Sequence, residues 1–207
     1  MIVGIVGHLG NMGRRYAKIC EYLGHQVIGH DPRENPLGDV RTLSFTADAI
    51  IIASPTPYHV DHIRAFKDYS LPILCEKPVT KDLDALEELL ADLKAAGTRL
   101  KVVNQYAELS FPKDGTGLTS YDYFKSGGDG LAWDCISLVT LANGPVELRN
   151  DSPVWKAQIN GHPLVASDMD GAYIRMVDRW LRDPSTTDYD AIYRAHKKVA
   201  DLCQPKS

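Results

Sequence analysis

The stretch Gly7-His8-Leu9-Gly10-Asn11-Met12-Gly13 follows an apolar run, residues 2–7, and opens an amphipathic segment, residues 11–24. Its glycines permit a tight turn and a close approach of the backbone to a ligand. A helix that starts there directs unpaired N–H groups and its positive dipole end at that turn, which suits a phosphate. The GxxGxxG spacing is a variant of the GxGxxG dinucleotide fingerprint. It predicts that the pyrophosphate is held by Gly7, Leu9, Gly10, Asn11, Met12 and Gly13.

A carboxylate closes the second predicted strand, residues 26–31, and stands 18 residues after Gly13. Asp31 can accept hydrogen bonds from both hydroxyls of the adenosine ribose and would repel a 2′-phosphate, which favours NAD. Arg33 can stack on adenine or meet a phosphate, so NADP stays open as a cofactor. The alternatives are a ligand-free glycine turn and a simple turn acid before Pro32.

Short apolar runs alternate with helical patterns through the first half of the chain. This alternation predicts an α/β fold, with a Rossmann-type parallel sheet over residues 1–105. Residues 32–48 carry two prolines and a glycine, so we expect an abbreviated connection there. The predicted strands are 2–7, 26–31, 49–54, 72–77 and 99–105, and the predicted helices are 11–24, 58–69 and 81–96.

The pattern changes after residue 105, and residues 106–207 predict a small α+β C-terminal domain. A glycine-rich turn covers residues 127–130, and a short apolar helix is expected over 131–142. The dipeptide Asn160-Gly161 predicts a two-residue hairpin turn within residues 154–165. Two more helices are expected over 168–181 and 188–203.

Composition excludes several classes of function for this chain of 207 residues. A formal net charge of −4 argues against a nucleic-acid partner. The absence of a long apolar run argues against a membrane span. The four cysteines are widely spaced and form no CxxC pair, so we expect reduced thiols in a cytoplasmic protein.

The segment Ser54-Pro55-Thr56-Pro57-Tyr58-His59 leaves the end of a buried strand. Ligands of open α/β sheets lie at such carboxyl ends. We therefore expect Ser54, Pro55, Thr56 and His59 to contribute to the cofactor site. His59 and His62 stand at a spacing that metal ligands use, but no third ligand is evident, and we predict no metal site.

Residues 72–78, Pro-Ile-Leu-Cys-Glu-Lys-Pro, taken together with residues 54–59, resemble the glucose–fructose oxidoreductase/inositol dehydrogenase (Gfo/Idh/MocA) family. The resemblance covers about residues 1–105 and continues more faintly through Gly127-Gly128 and residues 131–134. It returns at residues 191–199. It implies an NAD(P)-dependent oxidoreductase that moves a hydride between a nicotinamide ring and a sugar-like or other small hydroxyl or carbonyl compound.

The resemblance also implies roles for single residues. Lys77 would stand near the nicotinamide and the substrate hydroxyl, where its charge stabilises an alkoxide. Glu76 would lie beside the nicotinamide ribose, and Asp134 would be an acid on a helix that lines the substrate pocket. The alternatives are a solvated lysine and a helix-surface acid.

The sequence departs from the family at the position four residues after Asp134. The family has a general acid/base histidine there, and this chain has Leu138. A catalytically impaired cofactor-binding module, acting as a sensor or partner subunit, is therefore the alternative function. A reductase of an imine or a tetrapyrrole is a third possibility. If Tyr106, Tyr123 or His162 lines the nicotinamide face, that residue could replace the histidine as the proton donor, and the enzyme hypothesis holds.

The second half is also shorter than the family's wide β-sheet domain. Its predicted hairpin carries apolar side chains with little remaining chain to cover them, and a large exposed apolar patch usually marks an interface. We therefore expect a homodimer joined through Val154, Trp155, Ile159 and Leu164.

Overall fold

The computed structural model describes residues 1–123 and 131–203. The chain forms two compact units, Met1–Val103 with Val177–Tyr193, and Asn104–Met176 with Arg194–Ser207. The last two helices therefore contribute residues to both units. The turn expected at residues 127–130, with Gly127-Gly128, lies outside the described residues.

The first unit is built on a five-stranded sheet in the order β2-β1-β3-β4-β5, and every pairing is parallel. Strand β1 has β2 on one side and β3 on the other, so the strand order reverses at β1. The Rossmann-type sheet predicted from the sequence is confirmed. The strands are β1 (Ile2–Val6), β2 (Gln26–His30), β3 (Ala49–Ile52), β4 (Ile73–Cys75) and β5 (Leu100–Val102), and the helices are α1 (Asn11–Tyr22), α2 (His59–Phe66) and α3 (Leu83–Ala96).

The connection from β2 to β3 is short, as the prolines and the glycine of residues 32–48 predicted. A single 3₁₀ segment, Val40–Phe45, stands where a longer unit would have a helix and a strand. The carboxylate of Asp39 caps this segment by accepting a hydrogen bond from the backbone N–H of Arg41 at 2.9 Å. A second 3₁₀ turn, Thr56–Tyr58, leads from β3 into α2.

Aliphatic side chains from the sheet and from α3 form the core of the first unit. Helix α3 is capped at its start by Asp82, whose carboxylate accepts from two backbone N–H groups, and at its end by Gly97, which has φ of 68°. The start of the last helix joins this core, since Ile192 is buried in it and the Tyr189 hydroxyl donates to the Thr98 carbonyl. This packing explains why residues 177–193 group with the first unit.

The second unit holds a four-stranded sheet in the order β7-β6-β8-β9. Asn160 and Gly161 have φ of 51° and 84°, which confirms the predicted hairpin turn. The pairing of β6 with β7 is parallel, and no periodicity in the sequence predicted either strand. The elements are β6 (Thr119–Asp122), α4 (Leu131–Asp134), α5 (Ile136–Val139), β7 (Val146–Arg149), β8 (Lys156–Ile159), β9 (His162–Pro163), α6 (Asp168–Arg182) and α7 (Tyr189–Cys203).

The single helix predicted over residues 131–142 is wrong, because the chain forms the two four-residue helices α4 and α5. The break is at Cys135, which has φ of −95° and ψ of 10°. Asp134 and Leu138 therefore do not share the face of one continuous helix. Leu138 is fully buried in an apolar cluster with Tyr106, Ile159 and others.

The sequence also led to expectations about the cysteines, about metal sites and about membrane-spanning helices. Cys20, Cys75, Cys135 and Cys203 are all free thiols, and the first three are buried. Across residues 1–123 and 131–203, no three histidine, cysteine or acidic side chains are grouped as a metal site would require. Within the same residues, no helix is long and apolar enough to cross a membrane.

Because Leu138 is buried, a histidine introduced at this position should destabilise the fold. Leu138→His places an imidazole among apolar side chains without a partner, so we expect a loss of about 1–3 kcal/mol of unfolding free energy. The measurement is urea unfolding, with the exposed Val154→His as the control in the same unit. A Leu138→His variant as stable as wild type would contradict the cluster.

Candidate functional site

The glycine turn is held by contacts that leave no room for side chains. Gly7 has φ of 80°, and a Cβ added there would lie 2.8 Å from the Ser54 nitrogen. A Cβ on Gly13 would lie 2.2 Å from the Gly7 carbonyl oxygen, and one on Gly10 would lie 3.2 Å from the same atom. The ends of β1 and β3 and the start of α1 are therefore in direct backbone contact.

The first turn of α1 offers its backbone N–H groups at this edge of the sheet. Gly10 is the N-cap and has no side chain that could cap the helix. The first intrahelical hydrogen bond runs from the Arg14 N–H to the Gly10 carbonyl at 2.9 Å. The N–H groups of Asn11, Met12 and Gly13 come before that bond, so they are suited to an anion.

Asp31 lies one residue beyond β2 and is held on several sides. Its Oδ2 accepts from the Leu9 N–H at 3.3 Å, so the Leu9 amide, which was expected at the pyrophosphate, donates to Asp31. The Arg33 guanidinium forks onto both carboxylate oxygens at 2.8 and 2.7 Å. The Asp31 side chain is only 4% exposed. These bonds from Arg33, aided by the Leu9 N–H, hold the pKa of Asp31 well below its usual range, so the acid is charged at neutral pH.

The segment after β3 is pinned by two histidines of α2. The His62 Nδ1 lies 2.9 Å from the Ser54 Oγ, and burial together with the nearby His59 lowers the pKa of His62. The His59 ring is 1% exposed, with Nε2 2.6 Å from the Ser54 carbonyl oxygen and Nδ1 2.8 Å from the Pro78 carbonyl oxygen. His59 therefore contacts the protein through both ring nitrogens. Pro55 caps the 3₁₀ turn that starts at Thr56.

The turn after β4 carries Glu76, Lys77 and Pro78. Glu76 is 7% exposed, and its Oε1 accepts from the Tyr16 hydroxyl at 2.5 Å. Its Oε2 accepts from the backbone N–H of Lys77 at 3.0 Å. Lys77 is half-buried. The sequence indicated only a core role for Tyr16, because its spacing on the helical stripe shows burial but not a polar partner.

The first unit thus brings most of the predicted cofactor residues to one edge. Strands β1, β3 and β4 are parallel neighbours, so their carboxyl ends lie at the same edge of the sheet. Gly7 follows β1, Ser54 follows β3 and Lys77 follows β4. Asp31 belongs to the same edge, since it follows β2.

The residues considered for proton transfer in the second unit differ in burial. Asp134 ends α4 and is half-buried. Tyr106 is 7% exposed, and burial raises its pKa well above the usual range, which makes it a poor proton donor. Burial, with contributions from Cys135 and Asp134, raises the pKa of Tyr121 to about 12. Tyr123 is 37% exposed and His162 is exposed.

Comparison with known proteins agrees with this geometry. A family model described as an oxidoreductase family with an NAD-binding Rossmann fold, Gfo/Idh/MocA, matches residues 36–104. The inositol 2-dehydrogenase of Mycolicibacterium smegmatis is 35% identical over 69 residues, which are 30% of this chain and 20% of that protein. The uncharacterized oxidoreductase YrbE of Bacillus subtilis is 42% identical over 55 residues, 27% of this chain and 16% of that protein. The chain spans a fifth or less of these relatives.

Solved structures show the same fold at low identity. The WlbA (WbpB) dehydrogenase of Thermus thermophilus, in complex with NAD and UDP-GlcNAcA, has a TM-score of 0.74 at 17% identity over 100% of this chain and 96% of that one. A myo-inositol dehydrogenase of Corynebacterium glutamicum has a TM-score of 0.65 at 14% identity over 98% of this chain and 95% of that one.

The first unit has the Rossmann fold, and the match to the NAD-binding oxidoreductase family covers residues 36–104. Within that stretch, the chain is similar to the Gfo/Idh/MocA oxidoreductases. The match includes Ser54–His59 and Glu76–Pro78 but begins after the glycine turn and Asp31. The assignment of those earlier residues therefore rests on their geometry.

Alanine substitutions in the glycine turn of residues 7–13 test this backbone packing. Alanine normally stabilises a helix by about 1 kcal/mol over glycine, but at Gly13 its Cβ would clash with a backbone oxygen. We expect Gly13→Ala to lose about 1–3 kcal/mol of unfolding free energy in urea. Gly10→Ala, with its wider 3.2 Å contact, should lose less. A Gly13→Ala variant more stable than wild type would contradict the observed packing.

Proposed function

We propose that the chain binds NAD(H), and less favourably NADP(H), and transfers a hydride to or from a sugar-like small molecule. The observation that supports this most strongly is the cradle of Gly7, Gly10 and Gly13 beside the buried carboxylate of Asp31. Added Cβ atoms would clash with the neighbouring backbone, so glycine at these positions lets α1 start close to the end of β1 and present its first N–H groups at the sheet edge, as a dinucleotide-binding turn requires.

Each part of the bound cofactor has residues suited to it. The N–H groups of Asn11, Met12 and Gly13 would bind the pyrophosphate, and Asp31 would bind the adenosine ribose. Because Asp31 is charged at neutral pH, it would also repel the 2′-phosphate of NADPH. Arg33 is more than half exposed and already lies on this carboxylate, so it can offset part of that repulsion.

The reaction would draw on a few side chains. The nicotinamide ring supplies the hydride acceptor or donor. We propose that Lys77 stabilises the alkoxide that develops on the substrate and that Glu76 fixes the turn around Lys77. From the family resemblance we assign Asp134 to the substrate. Residues 1–105 would thus serve the cofactor, and residues 106–207 would serve the substrate and assembly.

A hydroxyl compound is the favoured substrate class because the relatives matched by sequence include inositol 2-dehydrogenases. A lysine ammonium next to a reacting hydroxyl lowers the energy of the alkoxide, whatever the rest of the molecule is.

A catalytically impaired cofactor-binding module is the second candidate, and a specific observation favours it. The family resemblance puts Leu138 at the position of the family's histidine, and Leu138 is buried in an apolar cluster, where it cannot move a proton. Tyr106 lies in the same cluster, and its pKa is raised. A placed acid or base usually contributes about 10²–10⁴-fold to the rate, so turnover would be slow in its absence.

We further propose a cytoplasmic homodimer, although fewer apolar side chains of the hairpin are exposed than the sequence predicted. The hairpin was expected to leave four apolar side chains uncovered. Ile159 is instead fully buried, and Trp155 and Leu164 pack partly against the same cluster. Val154 is 64% exposed and Val165 is 58% exposed. The chain itself therefore covers much of the surface that first indicated an interface.

Cofactor titration tests the proposal directly. We expect nicotinamide fluorescence to report a Kd for NADH no weaker than that for NADPH. Arg33→Ala should shift the ratio about tenfold further towards NADH, since it removes one charge-assisted contact to the 2′-phosphate. Arg41→Ala is the matched control, because Arg41 forks onto Asp39 in the same i, i+2 arrangement. A clear NADPH preference would contradict the role of Asp31, and binding of neither cofactor would refute the proposed function.

Lys77 distinguishes the two candidate functions. With NAD and myo-inositol as the probe, we expect slow turnover by wild type and none by Lys77→Met, which keeps an unbranched side chain, one atom shorter, but removes its charge. NADH affinity should stay nearly unchanged. Equal turnover by both proteins would remove Lys77 from the mechanism, and cofactor binding without turnover on any small hydroxyl compound would favour the binding module.

A further inference from the structure

Lys77 is bracketed by two buried contacts that the proposed chemistry does not itself require. On its N-terminal side, Glu76 accepts from Tyr16 at 2.5 Å and from the Lys77 N–H at 3.0 Å. On its C-terminal side, the Pro78 carbonyl oxygen lies 2.8 Å from His59 Nδ1. Both contacts reach the turn from helices, α1 on one side and α2 on the other.

We propose that Tyr16 and His59 are positioning residues that clamp the Glu76–Lys77–Pro78 turn from its two ends. The inference rests on the proposed function of Lys77, because a fixed backbone matters most where a side chain must meet a reacting group. The clamp acts through Glu76 and Pro78 and needs no contact of Tyr16 or His59 with cofactor or substrate.

The Tyr16 arm links the lysine to the phosphate cradle. Tyr16 is fully buried on α1, the helix whose first turn carries the N–H groups proposed for the pyrophosphate. A hydroxyl that donates to a buried carboxylate makes a strong, directional bond. The second oxygen of Glu76 accepts from the Lys77 backbone N–H. The carboxylate therefore connects α1 to the Glu76–Lys77–Pro78 turn.

The His59 arm links the lysine turn to the segment after β3. Both ring nitrogens face carbonyl oxygens, those of Ser54 and Pro78, and carbonyl oxygens only accept. A neutral ring donates to one of them, and the imidazolium form donates to both. In either form a ring that is 1% exposed fills the space between the two backbone segments and sets their separation.

Together the two arms tie three neighbouring segments, at the start of α1, after β3 and after β4. If the backbone at these strand ends were mobile, the position of the Lys77 ammonium would vary. A displacement of a reacting group by about 1 Å can lower the rate on the order of 10²-fold. Tyr16 and His59 thus fix the backbone of Lys77 relative to α1 and to the segment after β3.

Amide hydrogen exchange followed by ¹⁵N NMR measures how firmly the Lys77 backbone is held, and it does not depend on turnover. We expect the Lys77 amide to exchange about tenfold faster in Tyr16→Phe, which removes a single oxygen and frees the acceptor Glu76. Tyr22→Phe is the matched control, because Tyr22 lies on the same helix and is 76% exposed. The Glu76 amide, which donates to the Ile52 carbonyl in the sheet at 2.8 Å, should keep its rate.

The second arm is tested by His59→Leu and His59→Gln, with thermal unfolding to verify that each variant is folded. The glutamine amide can donate two hydrogen bonds and should restore slow exchange at Lys77 in part, whereas leucine should not. Unchanged exchange at Lys77 in folded Tyr16→Phe would overturn the clamp even if His59→Leu does not fold. Adding NADH to wild type separates the two claims, since a failure to bind refutes the proposed function and leaves the exchange result standing.

Discussion

The contact between Gly13 and the Gly7 carbonyl oxygen constrains the rest of the site. A Cβ at residue 13 would lie 2.2 Å from that oxygen, so α1 can start this close to the end of β1 only with glycine at that position. The close start directs the first-turn N–H groups at the sheet edge. It also brings Tyr16, one turn further along the helix, within reach of Glu76. The phosphate cradle and the anchoring of Lys77 therefore share one steric origin.

Electrostatics at the other end of the edge depends on one buried acid. Asp31 lies where solvent is nearly excluded, and a lone carboxylate there would be costly. The Leu9 N–H and the Arg33 fork stabilise its charged form and hold its pKa low. The charge proposed to repel a 2′-phosphate is thus maintained by contacts within the protein itself. Arg33 can turn outward to solvent because it is more than half exposed.

The sequence predicted the first unit well and the second unit less well, for physical reasons. Parallel strands buried on both faces read as continuous apolar runs, and glycines with acids at strand ends mark the site. The strands β6 and β7 are only four residues long and mostly half-exposed, so their patterns are too short to stand out from the flanking loops. The break at Cys135 has no glycine or proline to announce it. The partners of Glu76 were hidden because burial of Tyr16 shows in the pattern while the direction of its hydroxyl does not.

The carboxyl edge of the five-stranded sheet, with the glycine turn of residues 7–13, is the proposed dinucleotide site. Amide chemical shifts recorded while NADH is added to ¹⁵N-labelled protein test this residue by residue. We expect the largest changes at Gly7, Gly10, Gly13 and Asp31, with smaller ones at Lys77. Saturable changes confined to residues 104–176, with the glycine cradle unaffected, would contradict it.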